Sequence, residues 1–347
     1  MAWLDGWAYK KAVTLSRASG AVSDYQMKLL VGESSGATGE DVDCNSHILS
    51  NFDDLRFTTD DGTTLLDYWI ESITGSTPNR LATVWIEFGT IGTGATTFYM
   101  YYGKTSAAAV SSGANTFIIY DDFERGNDGD AIGGDWTQTA GSVKISTAQD
   151  IGNVTGFFGT RAMKLATSAP TSTATIPCAA SANIAVRFRI YKETAAGLAA
   201  YSEDGTHAAV IKADTNELVY YLDAGGYVST GVSITADAWQ VLGMQDFVWG
   251  ASPTVDVMVN DAVATNNASV HFADTGYVNL IALQGWTDDI WIDNFMVRNF
   301  RTTEPAWGSW GSEVAWGVKT INGLAWASVK TLNEQTRETT ATINGLA

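Results

Sequence analysis

Residues 82–91 read ATVWIEFGTI, and the alternation inside this run decides the fold. Val84, Ile86 and Phe88 fall on one side of an extended chain, Trp85 and Glu87 on the other. A period of two belongs to a strand with one buried face, because successive side chains point to opposite sides. Outward from it lie further strand-like runs: WLDGWAYKKAVTL (3–15), DYQMKLLVG (24–32), FDDLRFTTDDGTTLLDYWIES (52–72) and TTFYMYYGK (96–104). Turns such as Asp61-Gly62 separate them. With 34 Gly and 13 each of Trp, Tyr and Phe in 347 residues, the chain is expected to be all-β.

That length accommodates two ordinary domains, each with its own core. The first is expected over residues 1–112. The small, polar run AAAVSSGAN (107–115) leads into a linker at 113–116. A second domain, 117–301, opens on FIIYDDFERG (117–126) and closes on DDIWIDNFMVRNF (288–300). Between them lie runs such as SANIAVRFRIYKE (181–193), ELVYYLDA (217–224) and NLIALQGW (279–286). The remainder, 302–347, differs in kind. Thr-Ile-Asn-Gly-Leu-Ala occurs at 320–325 and again at 342–347, and VKTIN (318–322) is echoed by VKTLN (329–333). Asn-Gly is a strong hairpin signal. The expected architecture is two tandem β-sandwiches and a short, hairpin-rich tail.

Several motifs carry a resemblance. Trp7-Ala8-Tyr9-Lys10-Lys11, Leu55-Arg56-Phe57, Asp61-Gly62-Thr63, Tyr68-Trp69-Ile70-Glu71 and Tyr99-Met100-Tyr101-Tyr102-Gly103 stand in the first hundred residues. Together they resemble a β-sandwich domain of unknown function found in prokaryotic surface proteins, some fused to ExbB-type channels, and in phage virion proteins. The second domain resembles a concanavalin/laminin-G-type jelly roll, which implies that its first and last strands lie side by side in one sheet. The tail resembles C-terminal segments of phage structural proteins.

Charge removes some classes of function. Thirty-eight acidic and 20 basic residues give −18, a field that repels nucleic acid and anionic membrane surfaces. No run approaches the roughly 18 apolar residues of a membrane helix. Neither nucleic-acid binding nor membrane insertion is expected. The N-terminal residues do not read as a secretion signal, although relatives of the first domain usually carry one. Assembly in a cytoplasm is therefore the expectation. Cys44 and Cys178 fall in different domains and are expected as free thiols.

His47, His207 and His271 have no metal-binding spacing, and no G-x-S-x-G elbow occurs. The jelly-roll resemblance brings in laminarinase-like glycosidases, which carry two Glu and an Asp alternating on one strand. Here Asp288-Asp289-Ile290-Trp291-Ile292-Asp293 contains no Glu, so no enzyme is expected. Asp289, Trp291 and Asp293 are expected on one strand face. Calcium is the candidate cofactor, with Asp121, Asp122 and Asp293 as ligands meeting at the joined ends of the jelly roll. Exposed rings can stack on a sugar's C–H face, which makes Trp286, Trp291, Tyr227 and Trp249 the candidate glycan-binding residues. Alternation is expected to turn about half of the jelly roll's aromatic residues inward. In the tail, Trp316, Asn322, Gly323, Trp326, Asn344 and Gly345 are the candidate assembly residues.

The expected function is that of a phage virion structural protein, in a tail fibre, appendage or capsid decoration. It presents its sandwiches to a host-surface glycan, with other virion proteins and copies of itself as partners. The alternative is a secreted or cell-surface carbohydrate-binding adhesin. Both readings keep the two sandwiches independent.

Overall fold

The alternation of residues 82–91 is realised in the strand Leu81–Ile91, where Val84, Ile86 and Phe88 lie in a core. The computed structural model describes residues 3–37, 39–166, 171–181, 183–203, 208–223, 225–250, 252–270 and 277–316. It also describes four two-residue strands at 320–321, 324–325, 331–332 and 335–336. The fold is all-β. Among the described residues the helical content is one turn at Gly113–Thr116 and a 3-10 turn at Ile151–Asn153. No described helix is long and apolar enough to cross a membrane.

In the first sandwich, one sheet runs Val42–Asp43, Val22–Gly32, Leu81–Ile91, Tyr68–Thr74. The facing sheet places Tyr9–Ser16 beside Thr96–Tyr102, followed by Arg56–Thr58 and Leu65–Leu66. Leu15, Leu29, Phe52, Leu55 and Met100 fill the space between them with the residues named above. The Trp/Lys motif of residues 7–11 has a physical reading. Lys10 is buried, with its ammonium 4.5 Å from the Trp3 ring and 4.3 Å from the Tyr99 ring. The ring faces thus stabilise a charge held away from water. Lys11, also buried, pairs with Asp43 at 3.2 Å.

The segment after residue 301 returns to this sandwich. Ala306–Trp307 and Val314–Ala315 pair antiparallel with Tyr9–Ser16, in the registers Leu15↔Trp307 and Tyr9↔Ala315. Trp307 and Trp310 pack against the first core, and the Trp307 indole donates to the Lys28 carbonyl at 3.1 Å. Residues 302–316 were expected in an assembly tail. Of their rings, Trp307 and Trp310 find cover on the chain's own first sandwich, and Trp316 stays exposed.

The second half is a jelly-roll sandwich. One sheet has the order Thr137–Ala140, Ser172–Ser181, Val278–Trp286, Gly197–Glu203, Ala208–Ala213, Leu218–Asp223, Gly226–Ser233. The other runs Ser142–Ser146, Ala162–Ala166, Ile290–Asn299, Ile184–Lys192, Gln240–Val248, Thr254–Val259, Ala262–Ser269. Ile119–Asp121 pairs with Ile290–Asn299 through Phe295↔Asp121, so the first and last strands are neighbours. The last strand is irregular at Asn294, which has a positive φ of 44° where the register against Arg187 and Arg189 shifts. This bulge changes the parity of the strand. Ile290, Ile292, Phe295 and Val297 enter the core, and Trp291, Asp293 and Met296 are left to the outer face.

The two sandwiches are fused face to face. The four-stranded sheet of the first presents Trp69, Glu71 and Trp85 outward, and the eight-stranded sheet of the second presents Arg187, Arg189 and Met296. Trp69, Trp85, Phe117 and Met296 form a buried cluster joined by Tyr120. Glu71 is 2% exposed. Its carboxylate accepts from Arg187 at 2.8 Å, from Arg189, and from the Trp85 indole at 2.9 Å. A backbone bond from Ile73 to the Gly156 carbonyl, 2.7 Å, and a bridge between Ser72 and Phe157 add a short stretch of pairing across the junction. The linker itself is packed: Gly113 and Thr116 are buried, and a Cβ on Gly113 would lie 2.4 Å from the Tyr120 ring. The expectation of independent sandwiches is thus corrected to one packed body.

Candidate functional site

The jelly roll's two outer faces have different fates. The eight-stranded face receives the first sandwich. On the seven-stranded sheet, register aligns Thr173, Gln284, Ala199, Lys212, Tyr220 and Ser229 in one row. Their chain neighbours Ala174, Leu283, Leu198, Ile211 and Val219 are core residues, so the row faces outward. Beside it, Ala199, Val210 and Leu222 form an apolar floor against which Trp286 packs.

Lys212 is the hinge of this surface. Its ammonium lies 4.9 Å from the Tyr227 ring and 5.4 Å from the Trp286 ring, and 2.9 Å from the Asp214 carboxylate. Gln284 donates to the Thr173 hydroxyl at 3.3 Å, and Asn216 donates to the Tyr220 hydroxyl at 2.9 Å. The Trp286 ring rests on Gly197, where a Cβ would meet its atoms at 2.4 Å. Tyr227 is 45% exposed. The result is two aromatic rings flanking a cation, with amide and hydroxyl groups along the adjoining row. Such a surface offers apolar faces and oriented hydrogen-bonding groups together.

Of the four aromatic residues expected to bind glycan, this arrangement unites Trp286 and Tyr227. Trp291 is corrected. It is 4% exposed on the opposite sheet, donates to the Ser146 hydroxyl at 3.1 Å and packs edge-on to Tyr191. Trp249 lies apart from this group: partly buried, it stacks parallel to Phe247 at 6.1 Å and packs against the jelly-roll core. Sequence reading missed Lys212, Gln284, Tyr220 and Thr173. The alternation in AAVIKA and LVYYLD already turns Lys212 and Tyr220 away from Ile211 and Val219, and was the signal available.

The calcium expectation is corrected as well. Asp121 faces the core side, where Arg125 holds both its oxygens at 2.6 and 2.9 Å and the Trp136 indole donates at 2.9 Å. Asp293, beyond the bulge, faces outward and accepts backbone N–H bonds from Ile151 and Asn294 at 3.0 and 2.7 Å. Burial pushes the Asp293 carboxyl far above its ordinary range, and Glu124 and Asp122 add to the rise. Asp122 accepts from the Glu124 N–H at 3.2 Å. Among the described residues no group of three or more His, Cys, Asp or Glu side chains is arranged to hold a metal ion.

Asp289 pairs with Lys164, and its backbone N–H donates to Glu193 at 3.1 Å. His47 stacks on Tyr9 at 3.9 Å and meets Glu313 at 3.0 Å. His207 and His271 lie outside the described residues. Trp316 is 55% exposed and its backbone N–H donates to the Ala8 carbonyl at 2.7 Å. Asn322, Gly323, Trp326, Asn344 and Gly345 lie outside the described residues. Cys44 and Cys178 are free, and burial raises both thiols.

Residues 51–139 match the model of a domain of unknown function, DUF2341. This stretch contains the central and closing motifs of the first sandwich and runs on past the linker. No curated protein matches the chain. Among solved structures, a sialidase matches with a TM-score of 0.41 and 8% identity over 60% of this chain. The match takes in 20% of the sialidase, so this chain spans about a fifth of that protein. A carbohydrate-binding module from Bacillus subtilis matches with a TM-score of 0.33 and 12% identity, over 48% of this chain and 96% of its own. A β-glucanase from Bacillus licheniformis matches with a TM-score of 0.34 and 13% identity, over 53% of this chain and 98% of its own. The similar structures thus include both binding modules and glycan-active enzymes.

Proposed function

We propose that this protein is a glycan-binding structural component of a virion, displayed toward a host surface, and that it binds without cleaving. The observation that carries the binding reading is the placement of Lys212 between Trp286 and Tyr227 on the sheet face away from the first sandwich. Rings, ammonium, amide and hydroxyls within one strip suit a sugar, which has both C–H faces and hydroxyl groups. The virion reading is supported by the Asn-Gly repeats at 320–325 and 342–347 and by the kinds of protein that the first sandwich resembles. In this reading the fused first sandwich is a rigid mount, and the residues beyond 316 join neighbouring copies or other virion proteins.

A glycan array with the full chain tests the binding claim, followed by the double variant Trp286→Ala/Tyr227→Ala. The expected result is binding that the double variant loses by tenfold or more, with no new reducing ends released from the bound polysaccharide. Binding that survives the double variant, or release of reducing ends, overturns it. Antibody labelling of purified particles tests the location. Label on the host envelope of uninfected cells instead would favour the cell-surface adhesin.

A further inference from the structure

Between the sandwiches, beside the linker, lies a cleft of about 810 Å³. This falls within the range of small-ligand sites, roughly 300–1,000 Å³. Trp69 of the first sandwich and Phe117, Tyr120 and Phe158 of the second line it. Trp69 lies 5.7 Å from Phe117 and 4.9 Å from Tyr120, edge-on to both. Phe158 is 55% exposed, so one wall keeps an open ring.

The polar groups of the cleft are mostly of one sign. Asp53, Asp122 and Asp135 line it, and among the described residues no cation pairs with any of them. The Arg125 guanidinium on the same wall is engaged by Asp121 and by the Ile132 carbonyl. Burial raises the Asp122 carboxyl, and the nearby Asp121 and Glu124 charges raise it further. A positive charge arriving beside Asp122 would relieve that repulsion. Rings and unpaired carboxylates together favour a ligand with an apolar face and a cationic group, and they repel a uronate or sialate.

We propose that this cleft binds an amine-bearing sugar residue, with its ring against Phe158 and its ammonium at Asp122. The ligand class rests on the glycan-binding reading, but the place does not, since the cleft is separate from the Trp286–Lys212–Tyr227 face.

Calorimetry on the full chain tests this, with three probes: a β-1,4-linked glucosamine trimer, its N-acetylated counterpart and pentalysine. The glucosamine trimer should bind, and more weakly as salt is raised. Phe158→Ala and Asp122→Asn should each weaken it tenfold or more. The exposure of Phe158 makes its variant safe for folding, which thermal melting verifies. The acetylated trimer should bind at least tenfold more weakly, and pentalysine should show no dependence on Phe158. Equal affinity for the two trimers, no binding of the glucosamine trimer, or pentalysine binding that requires Phe158 would each overturn the proposal. Binding of the glucosamine trimer without any array signal lost in the Trp286→Ala/Tyr227→Ala variant would uphold the cleft while removing the sheet-face site.

Discussion

Glu71 of the first sandwich and Arg187 of the second meet at 2.8 Å between the two faces that join the halves. Burial alone would raise the Glu71 carboxyl, but the Arg187 and Arg189 guanidiniums outweigh it and hold the group at about 2. At Arg187 burial opposes the charge, and Glu71 and Asp261 more than compensate. The pair therefore makes each half the solvent of the other's charge. Breaking one side leaves the other uncompensated.

Glu71→Gln is accordingly expected to cost about 3–5 kcal/mol, the range for removing one partner of a buried ion pair. Urea denaturation followed by tryptophan fluorescence measures it. The native chain should unfold in one transition and the variant in two, as the sandwiches uncouple. A variant with unchanged midpoint would show that the pair is not what joins them. The pH dependence has a definite sign. Because the folded carboxyl sits at about 2, below its ordinary 4.5, the contribution is full above about pH 4.5 and is lost as pH falls toward 2. The Gln variant should lack this acid-dependent loss.

Protease access reports the same junction. Residues 113–116 read as a linker, yet the Ser112 N–H donates to the Tyr68 carbonyl at 2.9 Å and Gly113 and Thr116 are buried. Native protein should resist cleavage there. Gly156→Val should open it: Gly156 has φ of 93°, and an added Cβ would lie 2.4 Å from the Ile73 carbonyl. Mass spectrometry after brief digestion would show fragments split near 112–117 only in the variant. Equal resistance in both would mean that the Ile73–Gly156 pairing contributes little.

The legible part of this structure was what period two encodes. Val84, Ile86 and Phe88 announced their strand and their core, whereas the pairing of the jelly roll's two ends came from its resemblance to concanavalin-type folds. What period two cannot encode is whether an outward face meets water or another sheet. Trp85 reads as an outward residue of a free sandwich, and it is outward, but the second sandwich covers it. The bulge at Asn294 was equally silent, because one extra residue shifts Asp293 away from Asp121 without altering composition. Row formation across strands also needs register, so Lys212 could not be placed beside Trp286 from residues 212 and 286 alone.

The two indoles Trp286 and Trp291 should behave oppositely on substitution. Trp291→Ala removes a ring that is 4% exposed and should destabilise the fold by about 3–5 kcal/mol, with glycan retention by the folded fraction unchanged. Gly197→Ala should displace the Trp286 ring from its floor, at a smaller cost in stability than Trp291→Ala, and retention on the best array glycan should fall several-fold. Affinity electrophoresis and thermal melting separate the outcomes. Loss of retention from Trp291→Ala at full foldedness would move the site to the other sheet.

The last prediction concerns where the chain can be truncated. Ala306–Trp307 and Val314–Ala315 cover the edge of the strand Tyr9–Ser16, and Trp307 meets Phe88 edge-on at 5.7 Å. Removing residues 317–347 leaves this pairing in place, so the truncated protein should keep its melting temperature. Removing 302–347 strips Trp307 and Trp310 from the first core and exposes a row of unpaired backbone groups along Tyr9–Ser16. That form should melt lower, by several degrees or more, and associate through the bared edge. Light scattering and calorimetry on the two truncations decide it. Equal melting temperatures and equal mass for the two forms would mean that residues 302–316 add nothing to the first sandwich, and would return them to the assembly tail.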